Sequence, residues 1–437
     1  MTTILSLPDE LLAPILHASV PRYSAHRAAP LALVCRRFNR IITPLLYRNL
    51  QIECNGACGP HEYIRRTKAL HRTVRSNQSL RQHCQSLVIT FGSNFSTDLD
   101  GKDTAPNLAY IAIDLVKWLY NTEELYIGLT SFHDDTWYET FKTSTPSDLS
   151  VLYSQAPKSL TRLKLLNIRQ ENVPMHLPTL FRSLECLDSG ACLRILDLTG
   201  VSQIGTEQDW KRMKAKAGTA PFTELRLRHF TQSATALEAL VMWPVRLEAF
   251  HFSMPMSDYY DGDYALTRYD LGIMKTILSH QKASLSHVNI HELLTQSGVQ
   301  DFNLSEFHQL YTLCLSRDLT GIGTSHVANL LAPNLRTFRW DMALEDQHDC
   351  RGLEGFAEPQ EEWIRALAKS SMGRKTSLKQ IHIDFHPEGS FTGDIDKDYQ
   401  YPWDRMDRLA EDFKSHGINV VYSPPKITKE QFLRTKE

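Results

Sequence analysis

The sequence has no long apolar run. None of its hydrophobic stretches reaches the roughly 20 residues that a helix needs to cross a bilayer. The N-terminal segment carries Asp9 and Glu10 where a secretory signal would be apolar, and no small-residue cleavage site follows. These absences predict a protein that neither spans a membrane nor is exported.

The sequence also lacks an excess of charge of one sign and is poor in cysteine. Its 48 Lys and Arg residues are balanced by 50 Asp and Glu residues, so we expect no general attraction to nucleic acid or to an acidic membrane. The eight cysteines are scattered over 437 residues, which favours reduced thiols over a disulfide framework. We therefore expect a cytoplasmic and/or nuclear protein.

Motifs for metal or nucleotide chemistry are incomplete. The segment that starts at His291 begins like a zinc-protease helix, but Thr295 stands where the second histidine is needed. Cys54, Cys58 and His61 could start a zinc site, yet no second pair of ligands follows at a suitable spacing. No Gly-rich phosphate loop follows a predicted strand, and no Gly-x-Ser-x-Gly elbow occurs. We predict no cofactor, no metal and no catalytic site.

The first fifty residues predict three short helices. Pro8 suits the first turn of the first helix, whose apolar stripe runs from Leu11 to Leu16. The second helix is predicted over residues 31–41 and the third over residues 43–47. Helices this short cannot bury all of their apolar surface among themselves, so part of it must face a partner or the following domain.

The order of these elements resembles the F-box motif. The match consists of Leu-Pro-Asp-Glu-Leu-Leu at residues 7–12, then residues 31–38 and 44–48, although the connection over residues 20–30 is longer and more basic than usual. The resemblance implies docking on a small Skp-type adaptor, which bridges to a cullin scaffold that carries the ubiquitin-transfer machinery. The residues implied to carry this contact are Leu7, Pro8, Leu11, Leu12, Ile15, Leu16, Leu33, Val34, Cys35 and Phe38.

A six-residue phrase, apolar-x-x-apolar-x-apolar, recurs along the rest of the chain. Its middle positions, which we use as anchors, are Leu163, Leu196, Leu225, Phe250, Val288, Leu313, Phe338 and Ile381, with weaker copies at Leu50, Leu87 and Leu125. The shorter steps between anchors match the leucine-rich-repeat period of roughly 20–29 residues, and the longer steps imply insertions. Helix-like segments lie between the anchors, at residues 107–120, 234–242, 269–280 and 361–370.

The predicted fold is therefore α/β. A three-helix F-box at residues 1–50 is followed by an irregular leucine-rich-repeat solenoid at residues 51–423 and a flexible C-terminal tail at residues 424–437. The solenoid is expected to have a curved parallel sheet and outer helices. A doubly wound α/β fold is the alternative, because it also alternates strands and helices.

One column of residues is predicted to bind a target protein. The residue between the last two apolar positions of each phrase should face the open, concave side of the sheet, together with residues two positions further on. The column consists of Tyr126, Lys164, Asp197, Arg226, His251, Asn289, Cys314, Arg339 and His382, and two positions further along it continues with Arg228, Ser253, His291, Ser316, Asp341 and Asp384. Its arginines could recognise phosphate, unless acidic neighbours such as Glu224 already occupy them.

The resemblance and the repeats together predict a non-catalytic substrate-recognition subunit of a Skp/cullin/F-box ubiquitin ligase. Its partners would be the Skp-type adaptor, a cullin reached through that adaptor, and an unknown target protein. An adaptor-bound scaffold or regulator without a role in degradation is the alternative. A third hypothesis is an enzyme with an unrecognised site, built on His382 and Asp384 or on Asp134 and Asp135.

Overall fold

The chain forms two compact units, Met1–Phe222 and Thr223–Glu437, in the computed structural model. Twelve strands and fourteen α-helices lie in the residues that the structure describes, which confirms the predicted α/β class. The described residues are 4–19, 25–54, 60–92, 108–130, 147–171, 175, 177–185, 192–201, 206–254, 269–293, 298–342, 353–387, 399–425 and 427–434.

Three helices open the first unit, as predicted, but with different bounds. They are α1 (Asp9–Ser19), α2 (Ala25–Ala32) and α3 (Arg36–Leu46), preceded by a 3-10 turn at Ile4–Ser6. The predicted second helix is interrupted because Cys35 starts a new one, where its Sγ accepts a hydrogen bond from the amide of Phe38 at 3.5 Å. The new helix continues through Pro44, so the predicted third helix is its last turn.

Five parallel strands follow in the first unit. The elements are β1 (Asn49–Cys54), α4 (Pro60–Ser76), β2 (Ser86–Gly92), α5 (Leu108–Trp118), β3 (Glu124–Thr130), α6 (Ser147–Ser159), β4 (Leu165–Glu171), α7 (Leu177–Leu184), β5 (Ile195–Thr199) and α8 (Glu207–Lys214). Each of β1 to β4 pairs in parallel with the next strand along the chain. A doubly wound sheet reverses its strand order at a switch point, so this sequential order excludes that alternative within the unit.

The strand register of the first unit corrects one predicted anchor. Leu50, Leu87 and Leu125 lie side by side as predicted, but the next position in this column is Leu166 and not Leu163. The prediction for this repeat is wrong by three residues because the sequence around Leu163 fits the apolar phrase in two frames. Pairing between β3 and β4 selects the second frame, and Leu163 is buried just before β4 begins.

Seven further strands belong to the second unit. The elements are β6 (Glu224–Arg228), α9 (Ala234–Met242), β7 (Ala249–Phe252), α10 (Leu271–Leu278), β8 (His287–Ile290), β9 (Thr312–Ser316), α11 (Arg317–Thr320), β10 (Thr337–Asp341), α12 (Glu358–Arg374), β11 (Gln380–Asp384), α13 (Pro402–Lys414), β12 (Asn419–Tyr422) and α14 (Lys429–Arg434). No helix in the described ranges combines the length and the apolar character needed to span a membrane.

The strands of the second unit form one parallel ladder with the predicted register. The anchors predicted in this unit share one column, which Val420 of β12 extends, and they are Leu225, Phe250, Val288, Leu313, Phe338 and Ile381. Strands that follow one another in sequence are therefore neighbours in space, as expected of stacked repeats.

The core of the second unit lies between the strands and the helices. Trp340 of β10 stacks on Trp363 of α12 with ring centroids 4.5 Å apart. The indole N–H of Trp340 donates a hydrogen bond to the hydroxyl of Thr320 at 2.9 Å, so the buried ring keeps its polar atom satisfied. Because the apolar strand residues point towards the helices, the alternate residues lie on the opposite face of each strand.

A buried carboxylate ties α12 to α13. Glu361 accepts hydrogen bonds from Arg365 at 2.8 Å, from Arg405 at 2.8 Å and from Arg408 at 3.1 Å. Burial acts to raise the pKa of Glu361, but the three guanidinium groups outweigh it and hold that pKa below its ordinary value. The charged network therefore fastens one helix layer to the next.

The last helix differs from the predicted flexible tail. Thr428 and Gln431 form a reciprocal capping pair at the start of α14, with backbone-to-side-chain distances of 2.8 and 3.2 Å. Phe432 is buried, and its ring lies 5.4 Å from that of Tyr401. The capping signal Thr-x-x-Gln is visible in the sequence and could have indicated this helix.

Candidate functional site

The three N-terminal helices pack around one apolar cluster. Leu12 and Leu16 of α1 meet Phe38 and Ile42 of α3, and Ala32 of α2 completes the contact. Leu12 and Leu16 are four residues apart, as are Phe38 and Ile42, so the two members of each pair lie on one face of their helix. The cluster holds the helices together and uses only their inner faces.

A polar clamp joins the start of α1 to α3. The carboxylate of Asp9 accepts a hydrogen bond from Nε of Arg37 at 2.6 Å and also pairs with Arg40. Arg37 donates a second hydrogen bond to the carbonyl of Leu7. The hydrogen bond from Arg37, aided by the charge of Arg40, holds the pKa of Asp9 below its ordinary value. The clamp gives the outer face of α1 a fixed position.

Large apolar side chains of this region remain exposed. Leu11 is 56% exposed and Ile15 45% exposed, one turn apart on α1, while Leu33 and Val34 between α2 and α3 are 84% and 60% exposed. Of the eleven large apolar side chains exposed in the described chain, five lie before residue 35, the fifth being Ile4. We call Leu11, Ile15, Leu33 and Val34 the outer apolar residues. Such a concentration marks an interaction surface.

The residues predicted to contact an adaptor separate into two groups. The exposed ones are Pro8, Leu11, Ile15, Leu33 and Val34. Those that belong to or pack against the apolar cluster are Leu7, Leu12, Leu16, Cys35 and Phe38. The two groups alternate along the same helices, so the sequence pattern could not separate them. In this structure the exposed group is available to a partner, whereas the other group holds the helices together.

We call the side of the strands opposite the apolar columns the open strand face. In the first unit, Tyr126, Asn167 and Asp197 share one register position on it. Lys164, which was predicted for this position, is not on the strand, because it precedes β4, and its ammonium group pairs with Glu123 at 2.7 Å. Asn167 takes its place because of the three-residue shift in this repeat.

In the second unit, the open strand face brings together every residue predicted for it. One row consists of Arg226, His251, Asn289, Cys314, Arg339 and His382. Two positions further along each strand stand Arg228, Ser253, His291, Ser316, Asp341 and Asp384. Period-two alternation and parallel pairing together produce this arrangement, and the sequence pattern indicated both.

Glu224 engages two basic side chains of this face, Arg226 and His251. Its carboxylate lies 2.6 Å from the guanidinium of Arg226 on the same strand and 3.2 Å from Nε2 of His251 on β7. Hydrogen bonds from His251 and Arg226 hold the pKa of Glu224 below its ordinary value, against the opposing effect of burial. The sequence hypothesis that acidic neighbours occupy the arginines is thus correct for Arg226.

Asp384 has the same role at the other end of the row. It pairs with the guanidinium of Arg339, and its second oxygen lies 3.2 Å from Nε2 of His382. The carboxylate is almost fully buried. Arg339 and His382 converge on this one buried carboxylate, which gives the pairing of His382 and Asp384 a structural explanation.

A cavity of about 320 Å³ opens where β6, β7 and β8 end. Its polar lining residues are Arg226, Arg228, His251, Ser253, Asn289 and His291. Nδ2 of Asn289 lies 3.5 Å from Nδ1 of His251, while its Oδ1 is buried and has no hydrogen-bond partner among the described residues. An unsatisfied buried oxygen costs about 1–3 kcal/mol, so Asn289 carries a local energetic cost beside this cavity.

Two buried cysteines of the described chain are not activated nucleophiles. Burial raises the pKa of the Cys84 thiol to about 11 and that of the Cys314 thiol to about 12. Both are therefore thiols at neutral pH, whereas a reactive cysteine needs a lowered pKa.

The remaining sequence candidates are resolved only in part. His291 directly follows β8, and residues 291–293 are not helical, so no zinc-protease helix starts at His291. The side chains of Cys54, Cys58 and His61 lie outside the described part of the chain, as does the pair Asp134 and Asp135.

Comparison with known proteins bears on the N-terminal region. The chain as a whole finds no match among curated proteins. The sequence model of the F-box-like family matches residues 4–53, which span α1, α2, α3 and nearly all of β1. A domain of this family supports binding to an Skp-type adaptor. The three helices around their apolar cluster, with the outer apolar residues left exposed, therefore form an F-box-like domain at residues 4–53.

Proposed function

We propose that this protein is the substrate-recognition subunit of a Skp/cullin/F-box ubiquitin ligase. The observation that carries the proposal is the F-box-like domain at residues 4–53. In this role the domain docks on the adaptor, the adaptor bridges to a cullin, and the repeats hold a target protein near the ubiquitin-transfer machinery. The chain contributes proximity and needs no chemistry of its own.

The outer apolar residues can supply the affinity for an adaptor. Burying one Leu, Ile or Val side chain is worth roughly 1.5–3 kcal/mol, although association itself consumes part of the total. The apolar cluster and the Asp9 clamp fix the helices that carry these residues. Little backbone entropy is then lost on docking, which favours tight binding.

The open strand face of the second unit supports the target-binding part of the proposal. It offers polar groups on paired strands and a cavity of about 320 Å³ with a mostly polar set of lining residues. Arg226 is engaged by Glu224, and Arg339 is engaged by Asp384. Recognition through hydrogen bonds and shape therefore suits this face better than recognition of phosphate by an arginine cluster.

The proposal is tested by affinity purification of the full chain from cells, followed by mass spectrometry. We expect the adaptor, a cullin and at least one target whose turnover slows when the chain is depleted. Replacing Leu7, Pro8 and Leu11 together with alanine should remove the adaptor and the cullin. A matched control replaces Val245 and Ile322, which are exposed apolar residues of the second unit, and should retain both partners.

Two outcomes would count against the proposal. Full adaptor binding by the triple variant would show that the F-box-like domain does not make the contact. An adaptor without a cullin, or unchanged turnover of every co-purified protein, would favour the scaffold or regulator hypothesis.

A further inference from the structure

Three side chains of types that can bind a metal lie close together on the open strand face of the second unit. They are His291 directly after β8, Cys314 of β9 and Asp341 at the end of β10, and their ligand atoms all lie within 4.8 Å of one another. The three strands are consecutive neighbours in the ladder. Strand pairing therefore sets the positions of these side chains.

The ring of His291 is well placed to act as a ligand. Its Nδ1 lies 2.9 Å from Oδ2 of Asp341, which is close enough for an ion pair. The imidazole and the carboxylate are not aligned for a hydrogen bond, however. This buried nitrogen therefore has no hydrogen-bond partner among the described atoms. The hydroxyl of Ser316 donates to the carbonyl of His291 at 3.1 Å and fixes the backbone beside the ring. Imidazole is the commonest metal-ligating side chain, and a ring held in this position beside a carboxylate can coordinate a metal.

The chemistry of the three ligands selects one class of metal. Thiolate, imidazole and carboxylate together suit Zn²⁺, whereas Mg²⁺ and Ca²⁺ take oxygen ligands. Zinc–ligand distances of about 2.0–2.3 Å place two ligands of a tetrahedral site about 3.3–3.7 Å apart. Side-chain shifts on the order of 1 Å would bring the three ligand atoms to these tetrahedral distances.

The surrounding charges also permit a cation. Arg339 is the register neighbour of Cys314, but Asp384 engages its guanidinium. Asp341 and Asp384 both lie near enough to Cys314 to act on its charge. The repulsion that Arg339 would exert on a bound metal is thereby reduced.

We propose that His291, Cys314 and Asp341 bind a zinc-class divalent cation. Three protein ligands leave a fourth coordination position for water or another small ligand. His291 also lines the cavity of about 320 Å³, which gives this position access to solvent. The site does not depend on the proposed ligase role.

Titration of the purified full chain with Co²⁺ tests the site. Cobalt bound through a thiolate gives a charge-transfer band in the near ultraviolet, and a tetrahedral site gives intense d–d bands. We expect both bands, with Zn²⁺ displacing the cobalt. Cys314→Ala should abolish the charge-transfer band. His291→Gln and Asp341→Asn should each weaken binding by at least about tenfold, because even residues that only support a ligand have effects of that size.

Two control variants separate this site from other thiols of the chain. His287→Gln changes an exposed histidine of the same strand and should leave both bands unchanged. Joint replacement of Cys54 and Cys58 with serine should also leave them unchanged. Loss of the bands in that double variant with retention in Cys314→Ala would overturn the proposal, as would the absence of cobalt binding by the unmodified chain. If Cys314→Ala does not fold, the nearly isosteric Asp341→Asn decides the question.

Discussion

In the F-box-like domain, five large apolar side chains face solvent, whereas on the open strand face of the second unit the side chains are polar and several are paired with each other. The first surface stands on a small cluster that uses only the inner sides of three helices. The second stands on a ladder of strands with a continuous apolar column behind it. Both regions place functional candidates at positions that alternate with core residues.

The difference teaches how each surface can bind. Covering exposed apolar groups with a partner contributes favourably to the free energy of binding. Truncating one of these groups removes its contribution directly. Side chains that are already paired as charges contribute little to the free energy of binding. A partner must first compensate for their desolvation and for the contacts that they already make. We therefore expect truncations on the F-box-like domain to have large effects on binding, and truncations on the strand face to have small ones.

The largest effect is expected from the outer apolar residues. Replacing Leu11, Ile15, Leu33 and Val34 together with alanine should weaken binding of a purified Skp-type adaptor by at least about 100-fold, or about 2.7 kcal/mol. The thermal midpoint of the chain should hardly change, because these side chains are exposed. Isothermal titration calorimetry and a thermal melt measure the two quantities.

Leu12 and Leu16 provide the matched comparison, since they occupy the inner face of the same helix. Leu12→Ala should lower stability by about 2–5 kcal/mol, as expected when a buried leucine is truncated. Normal adaptor affinity in the variant with four exposed alanines would contradict the assignment of that surface.

A smaller effect, on stability alone, is expected from the buried charge network. Glu361→Gln should lower the free energy of unfolding by about 3 kcal/mol at neutral pH, because Arg405 and Arg408 lose this anionic partner and Arg365 keeps only Asp412. Glu411→Gln on α13 is the control, since its pair with Lys414 is exposed and spans 3.7 Å. Urea unfolding at several pH values measures both variants.

The pH dependence of this effect has a defined sign. The folded-state pKa of Glu361 lies below the ordinary value of 4.5. Its stabilising contribution is therefore complete above that value and is lost as the pH falls through the folded-state pKa. The difference between Glu361→Gln and the unmodified chain should shrink in acid. A difference that is independent of pH would mean that packing, and not charge, holds α12 to α13.

The smallest effect is expected from the arginines of the strand face. Replacing Arg226 and Arg228 with alanine should slow turnover of a co-purified target by no more than about fivefold, or about 1 kcal/mol. The reason is that Glu224 already engages Arg226. Arg246→Ala, at an exposed pair with Glu248, is the control. A much larger effect with unchanged adaptor binding would show that the arginines read the target directly.

The repeat architecture could be predicted because its signals are local and redundant. Six anchors from Leu225 to Ile381 lie in the predicted register, and each is a fully buried apolar residue on a strand. The error at Leu163 has a local cause as well, since two frames of the same phrase overlap there. Because of this three-residue shift, Lys164 precedes the strand, and Asn167 takes the predicted position on the open face.

The division of the F-box-like helices into core and surface could not be predicted in the same way. Leu11 and Leu12 are adjacent and chemically identical, yet one is exposed and the other fully buried. The direction in which α1 faces α3 decides between them, and the Asp9 clamp that fixes this direction joins residues far apart in the sequence.

By itself, the sequence determined the F-box-like segment, the α/β class and the alternation of apolar and polar residues along each strand, because these follow from patterns within a few neighbouring residues. Only the tertiary structure decided which side chains of neighbouring strands come within bonding distance of each other. A metal was rejected at His291 because the second ligand of a helical motif is missing there. Parallel pairing instead brings Cys314 and Asp341 to the same histidine from the next two strands. The sequence pattern puts these three residues on one predicted face, but their ligand atoms are separated by whole repeats, so the distances between them depend on strand pairing and not on local spacing.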